Sequence, residues 1–312
     1  MKDVPLRKID HVHFFVGNAR QSAFFYRNAF GFDVVSYAGL ETKVKHEAGY
    51  VLRQGEITFV LTSPLSQNHP ESPRLLKHGD GVMDIAFDVA DVRTAFENAV
   101  SNGAVPVREP KAIVDDFGTY ETATIHAYGD TTHTFVNRDR YHGAFAPGYK
   151  AIDPERYNEK TSKPVGLAAI DHIVGNVEEG KMDEWVEFYR KVLGFNQLVS
   201  FDDKDISTEY SALMSKVVQN GTGRIKFPQS EPAQAKRKSQ IEEYPHLLRR
   251  PRRSAYCLDH GRHHRDRHGD VDNDARSCRT ENVLRHTDRS RRSHQGKPNH
   301  AGGSRHSRRP GR

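Results

Sequence analysis

The 312 residues, 36% of them hydrophobic and 28% charged, are enough for two ordinary domains, and no apolar run reaches the roughly 18 residues of a membrane-spanning helix. The net charge of +6 divides unevenly: from Pro245 onward eighteen basic against seven acidic side chains give +11, which leaves −5 for residues 1–244. An acidic body carries no electrostatic footprint for nucleic acid, and a body without cysteine (Cys257 and Cys278 both follow it) has no disulfide framework.

The N-terminal "MKDVPLRKID" lacks an apolar signal core, so the expectation is a cytoplasmic chain. From Ile9 the sequence reads "IDHVHFFVGNARQSAFFYRNAFGFDVVSY": a β-rich run, then a helix that ends before Gly31, where a left-handed cap is wanted. The run "FDVVSY" and later "EITFVLTS" predict strands, as does "GVMDIAFDVADV". A stretch rich in Pro, Lys and polar residues, "APGYKAIDPERYNEKTSKP", predicts a boundary. From Ile170 the pattern returns as "IDHIVGNVEEGKMDEWVEFYRKVLGFNQLVSF", with Trp185, Phe188, Tyr189 and Val192 at helical spacing and Gly194 as the second cap. A period of about 160 residues is a duplicated module, not a solenoid.

These motifs, with "STEYSALMSKV" and "KRKSQIEEY", carry a specific resemblance. Residues 1 to about 244 resemble the 4-hydroxyphenylpyruvate dioxygenase family of the vicinal oxygen chelate superfamily. The resemblance implies an α+β fold of paired βαβββ modules. It divides the chain into an N-terminal domain over 1–155 without metal, the first part of a catalytic domain over 156–244, and a tail over 245–312. It further implies tyrosine catabolism: an aromatic 2-oxo acid and O2 as substrates, Fe(II) held by two His and one Glu, and homogentisate as product. A homo-oligomer is implied for an intact module pair. The relative 4-hydroxymandelate synthase, and a non-catalytic binding module of the same fold, are the alternatives.

Carried over residue by residue, His172 matches the first iron ligand, and Ser215 and Gln240 match residues lining the substrate pocket. At "KFPQSEP" the family usually has Ile-Asn where this chain has Gln229 and Ser230; Ser is shorter than Asn and lacks its amide, which leaves substrate contact at Ser230 open. Asp171 adjoins His172, but strand alternation predicts that it points to the opposite face. In the first half, His11 matches His172 by repeat position, Asp84 falls where a second ligand would stand and Asn137 where a carboxylate would. An amide replaces a charged ligand poorly, so the first half reads as a structural partner. His13 reads as packing or surface.

The second half should next supply its own "GVMDIAFDVADV". Instead the chain turns Arg- and His-rich after "KSQIEEY", with about a dozen hydrophobic residues in the last 68. That composition predicts a disordered tail. Back-translating Leu247 to Arg267 with free codon choice, and reading one base later, permits "FYGGPGVQHIALTTGDIIETV". This string aligns with "GVMDIAFDVADV" and places a His across the codons of Ala255 and Tyr256. The tail therefore reads as out-of-frame translation that has removed the second His and the Glu. A zinc site from Cys257, His260, His263, His264 or His268 is the sharper alternative, but "CLDHGRHHRDRHGD" has no strand or helix period to position ligands. A charge of +11 would bind phosphate non-specifically and with steep salt dependence.

Overall fold

A computed structural model describes residues 2–153, 163–201, 213–232 and 252–259. These fall within one compact unit, Met1–His264. Gln240, His260, His263, His264, His268 and everything from Arg265 onward lie outside the described residues.

The first half opens with β1 (Leu6–Phe15), α1 (Ala19–Phe30), β2 (Asp33–Ala38), β3 (Glu47–Gln54) and β4 (Ile57–Pro64). After the short α2 (Ser72–His78) the plan repeats as β5 (Gly81–Val89), α3 (Val92–Ser101), β6 (Pro106–Asp115), β7 (Gly118–His126) and β8 (Thr132–Tyr141), with β9 (Lys150–Ala151) as an edge. One nine-stranded sheet results, ordered β6-β7-β8-β5-β1-β4-β3-β2-β9. The two βαβββ modules meet at the antiparallel pair of β1 and β5, while β1 runs parallel to β4.

The second half supplies β10 (Ala169–Asn176), α4 (Met182–Leu193), β11 (Asn196–Phe201), β12 (Leu213–Gln219) and β13 (Lys226–Pro232). Its sheet is ordered β11-β12-β13-β10-β14, with β14 (Arg252–Asp259) antiparallel to β10 and β13 parallel to it. Strand for strand this repeats β2-β3-β4-β1-β5.

Local chemistry explains the two long helices. Asn18 caps α1 by accepting from the Gln21 amide at 3.0 Å, and Ala19 and Ala23 are small enough to lie against the sheet. In α4 the Glu231 carboxylate, reaching from β13, accepts from the Met182 amide at 3.0 Å and faces the positive end of the helix. Gly31 and Gly194 both cap their helices at φ +71°, as the sequence predicts.

The two halves share a core. The imidazole of His133 on β8 is fully buried; its Nδ1 lies 3.1 Å from the Ile85 carbonyl and its Nε2 2.9 Å from the Tyr189 hydroxyl on α4. A carbonyl only accepts, so Nδ1 carries the proton and the tyrosine donates to Nε2. Phe227 stacks on His133 at 6.0 Å, and Tyr128 meets Trp185 edge-on at 5.1 Å. Trp185, Phe188, Tyr189 and Val192 all pack into this core, which fits their helical spacing.

Contacts between the halves are reciprocal. The β3–β4 turn reaches the entry to β10, where the Glu56 amide donates to Ala168 at 2.6 Å and the Leu167 amide donates to Gln54 at 2.9 Å. The turn between β12 and β13 reaches the entry to β1, where the Asn220 amide donates to the Leu6 carbonyl at 3.3 Å. β5 and β14, which correspond in the repeat, are neighbours across the two sheets.

Low apolar content predicts a disordered tail over 245–312; within that range the structure pairs Arg252–Asp259 with β10. Every non-proline residue offers the same N–H and C=O to a sheet edge, so a strand can be completed without apolar periodicity.

Candidate functional site

His172 sits on β10, and its side chain is 20% exposed. Its Nδ1 lies 2.6 Å from the Asp171 carboxylate. Alternation had put Asp171 on the opposite face, and that expectation is wrong. The pairing of β10 with β14 slips between Ile170 and His172, and this irregularity breaks the alternation at Asp171. Asp171 also accepts from the Lys226 ammonium at 3.1 Å. The bond to His172, opposed by partial burial and helped by Lys226, holds the carboxyl down at about 2. An ionised carboxylate can only accept, so Nδ1 carries the proton and Nε2 keeps its lone pair for a ligand.

The first half repeats the device. β1 and β5 slip between Ile9 and His11, and Asp10 lies 2.5 Å from His11 Nδ1. Here Arg138 takes the part of Lys226, with two contacts to Asp10 at 2.5 and 3.2 Å. The Asp-His dipeptide occurring twice was the signal in the sequence; Lys226 and Arg138 carried no comparable mark.

Ser215 on β12 and Ser230 on β13 are register partners, both buried, with hydroxyls 3.1 Å apart. Asn176 pairs with Ser230 across β10 and β13, so the serines stand four residues along from His172, about 13 Å at strand rise. Two of the expected pocket residues are thus brought together; Gln240 lies outside the described residues. Gln229 is fully buried on the other face of β13, beside Gly175.

In the first half the matching positions are closed. The Phe145 ring lies edge-on to His11 at 5.3 Å, and the Arg138 guanidinium stacks over Phe145 at 4.2 Å. Asp84 is buried and accepts from Thr132 at 2.5 Å and Thr134 at 2.9 Å; burial raises its pKa. Asn137 spends its amide on the Val89 and Ala90 carbonyls at 2.8 and 3.0 Å. His13, half-buried, lies 2.7 Å from the Thr62 hydroxyl, and burial together with nearby cations drives its pKa down to about 3.

The register of β14 locates the counterpart of Asp84. In the first half His11 pairs with Ala86 and His13 with Asp84. In the second, His172 pairs with Cys257 and Val174 with Ala255. Ala255 therefore stands opposite Val174 where the first half sets Asp84 opposite His13. Among the described residues no three His, Cys, Asp or Glu side chains come together as a metal site. Among the described residues the single imidazole of His172 does not make up the two-His, one-Glu set that the resemblance implies for Fe(II).

The duplicated βαβββ plan has relatives. The chain matches the Glyoxalase/Bleomycin resistance protein/Dioxygenase superfamily over residues 8–147 and 169–292, and it belongs to that family. Within it the chain is similar to enzymes named 4-hydroxyphenylpyruvate dioxygenase. It is 45% identical over 251 residues to that of Coccidioides posadasii, covering 76% of this chain and 63% of the relative. It is 47% identical over 240 residues to that of Dictyostelium discoideum, covering 75% and 65%. The chain thus spans under two thirds of the length of these relatives. Among solved structures, a triple mutant of 4-hydroxymandelate synthase from Streptomyces coelicolor superposes with a TM-score of 0.68 at 27% identity, covering 79% of this chain and 69% of that one. No helix among the described residues is long and apolar enough to cross a membrane.

Proposed function

We propose that the two halves are built to oxidise 4-hydroxyphenylpyruvate with O2 at one Fe(II), giving homogentisate and CO2, and that the chain as written does not complete the iron site. The relatives' names support the reaction. The observation that carries the second clause is the β14 register, which sets Ala255 where the first half has Asp84.

The same register bears on the change of frame. Reading one base later places a His across the codons of Ala255 and Tyr256, and Ala255 stands opposite Val174 as Asp84 stands opposite His13. We therefore take the run from about Pro245 as the catalytic module read out of frame. Its +11 binds polyanions through counterion release whether or not anything selects for it.

In this reading bound iron supplies the activation of O2, and three protein ligands are needed to hold it with open positions. This chain's residues do the rest of what the site requires. Asp171, steadied by Lys226, keeps His172 in the tautomer that presents Nε2. Ser215 and Ser230 present adjoining hydroxyls about 13 Å along the strands, a separation that suits an aromatic ring carrying a three-carbon acid.

The structural likeness to 4-hydroxymandelate synthase supports a second reading, oxidation at the benzylic carbon. Product analysis decides between them. A protein encoded one base on from about codon 245, given Fe(II), ascorbate and 4-hydroxyphenylpyruvate, should yield homogentisate. 4-Hydroxymandelate would favour the second reading, and no product from this protein would refute both.

A further inference from the structure

The sequence holds two Asn-Gly pairs, Asn102 with Gly103 and Asn220 with Gly221. An asparagine in this setting is prone to lose ammonia spontaneously, because glycine has no Cβ to keep its amide nitrogen from the asparagine side chain. Both asparagines lie where the two halves meet. Asn102, at the end of α3, donates to the Val192 carbonyl at 3.4 Å. Asn220, in the turn between β12 and β13, donates to the Leu6 carbonyl at 3.3 Å. The two sites differ in the state of the nitrogen that would attack.

At Asn102 both reactants are held. The Gly103 amide donates to the Val100 carbonyl at 2.9 Å, and the Asn102 side chain exchanges two bonds with the Lys2 backbone, at 3.0 and 2.8 Å. At Asn220 only the side chain is held. Its oxygen accepts from the Thr222 hydroxyl and the Ile225 amide, both at 3.1 Å, while its nitrogen reaches Leu6. Asn220 and Leu6 are each 6% exposed, so water does not stand in for that bond. Gly221 is exposed, and its amide donates to no described residue. The nucleophile is free and the electrophile is clamped, with one point of the clamp in the other half.

We propose that Asn220 is a self-modification site: its amide persists while the two halves are docked, and once they part Gly221 converts it to a carboxylate that no longer holds Leu6. Solvent base takes the Gly221 amide proton, and the nitrogen attacks Cγ of Asn220. The new C–N bond closes a five-membered imide. The bond to Nδ2 breaks as that nitrogen takes a proton from water, and ammonia leaves. Water then opens the imide to aspartate or, at its other carbonyl, to isoaspartate; nothing is oxidised or reduced. The aspartate product still accepts from Thr222 and Ile225, so the turn keeps its own bonds. It cannot donate, and it sets two acceptors face to face at Leu6. Parting of the halves is thereby written into the chain and opposed from reversing.

Ageing the full chain at pH 8 and mapping the new acids by peptide mass spectrometry tests this. Acid should accumulate at 220 ahead of 102. Tyr189→Phe, which removes a bond between the halves, should speed conversion at 220 about tenfold, the effect of losing one buried hydrogen bond. Asp10→Asn, which disturbs the first half away from their contact, should leave the rate at 220 unchanged. A Cβ on Gly221 meets nothing within 4 Å, so Gly221→Ala should fold like the parent and stop conversion at 220. Asn220→Asp, the product itself, should melt at a lower temperature than the parent. Faster conversion at 102 than at 220, or a rate at 220 that ignores Tyr189→Phe, would overturn the proposal. So would equal acceleration by Asp10→Asn, which would assign release of the amide to unfolding of the whole chain. An Asn220→Asp variant as stable as the parent would overturn it as well.

Discussion

Replacing Asp10 with Asn perturbs the best-defined charge cluster in the chain. Asp10 is 14% exposed and lies between His11 at 2.5 Å and Arg138 at 2.5 Å. Burial works against its charge, but His11 and Arg138 outweigh it and bring the carboxyl from an ordinary 3.8 to about 2. A folded pKa below the unfolded one stabilises the fold fully above 3.8 and loses that contribution as pH falls through 2. The difference is worth about 2.4 kcal/mol, of which about 1 kcal/mol is gone by pH 3. The Asn variant also leaves the Arg138 charge facing only the Phe145 carbonyl and the rings of Tyr120 and Phe145. Breaking a buried pair in this way costs about 3 kcal/mol at neutral pH. Urea unfolding of both proteins at a series of pH values reads the difference directly. It should be about 3 kcal/mol at pH 7 and about 1 kcal/mol smaller at pH 3. A variant as stable as the parent, or a gap that stays flat from pH 7 to 3, would refute the account of Asp10.

The remaining predictions concern the shared core, the caps and the tail. Tyr189→Phe removes the hydroxyl that donates to His133 across the two halves and should cost about 1–3 kcal/mol by denaturant melts; no loss would show that the bond does not hold the halves together. Gly194→Ala meets nothing within 4 Å and should cost only the left-handed strain of about 1–2 kcal/mol. Gly31→Ala drives its methyl into the Lys163 carbonyl and should lower the melting temperature further, so equal losses would contradict the cap geometry. Deleting residues 260–312 removes fourteen of the tail's eighteen basic side chains and should abolish retention on a phosphate-rich column at low salt, whereas undiminished retention would place the polyanion site on the body.

Much of this architecture is legible in the sequence because it rests on short-range rules. Gly31 and Gly194 announce helix ends, and the Asp-His and Phe-Tyr-Arg motifs announce the duplication. The site is legible only in part. Asp171 was assigned to the wrong face because period-two alternation assumes an unbroken ladder, and the slip between Ile170 and His172 is visible only once β14 is paired. His133 gave no warning, since its partner lies 56 residues away on a helix of the other half. β14 escaped a composition argument because backbone pairing does not depend on apolar content.

The central claim of the proposed function is that the second His and the Glu, both missing from the chain as written, separate a site that holds iron from one that does not. Both the chain as written and the protein encoded one base on from about codon 245 can be loaded anaerobically with Fe(II), desalted and measured for iron per chain. The account predicts about one iron per shifted-frame chain, lost with His172→Ala, and no retained iron in the chain as written that depends on His172. Iron held by the chain as written and released by His172→Ala would contradict it.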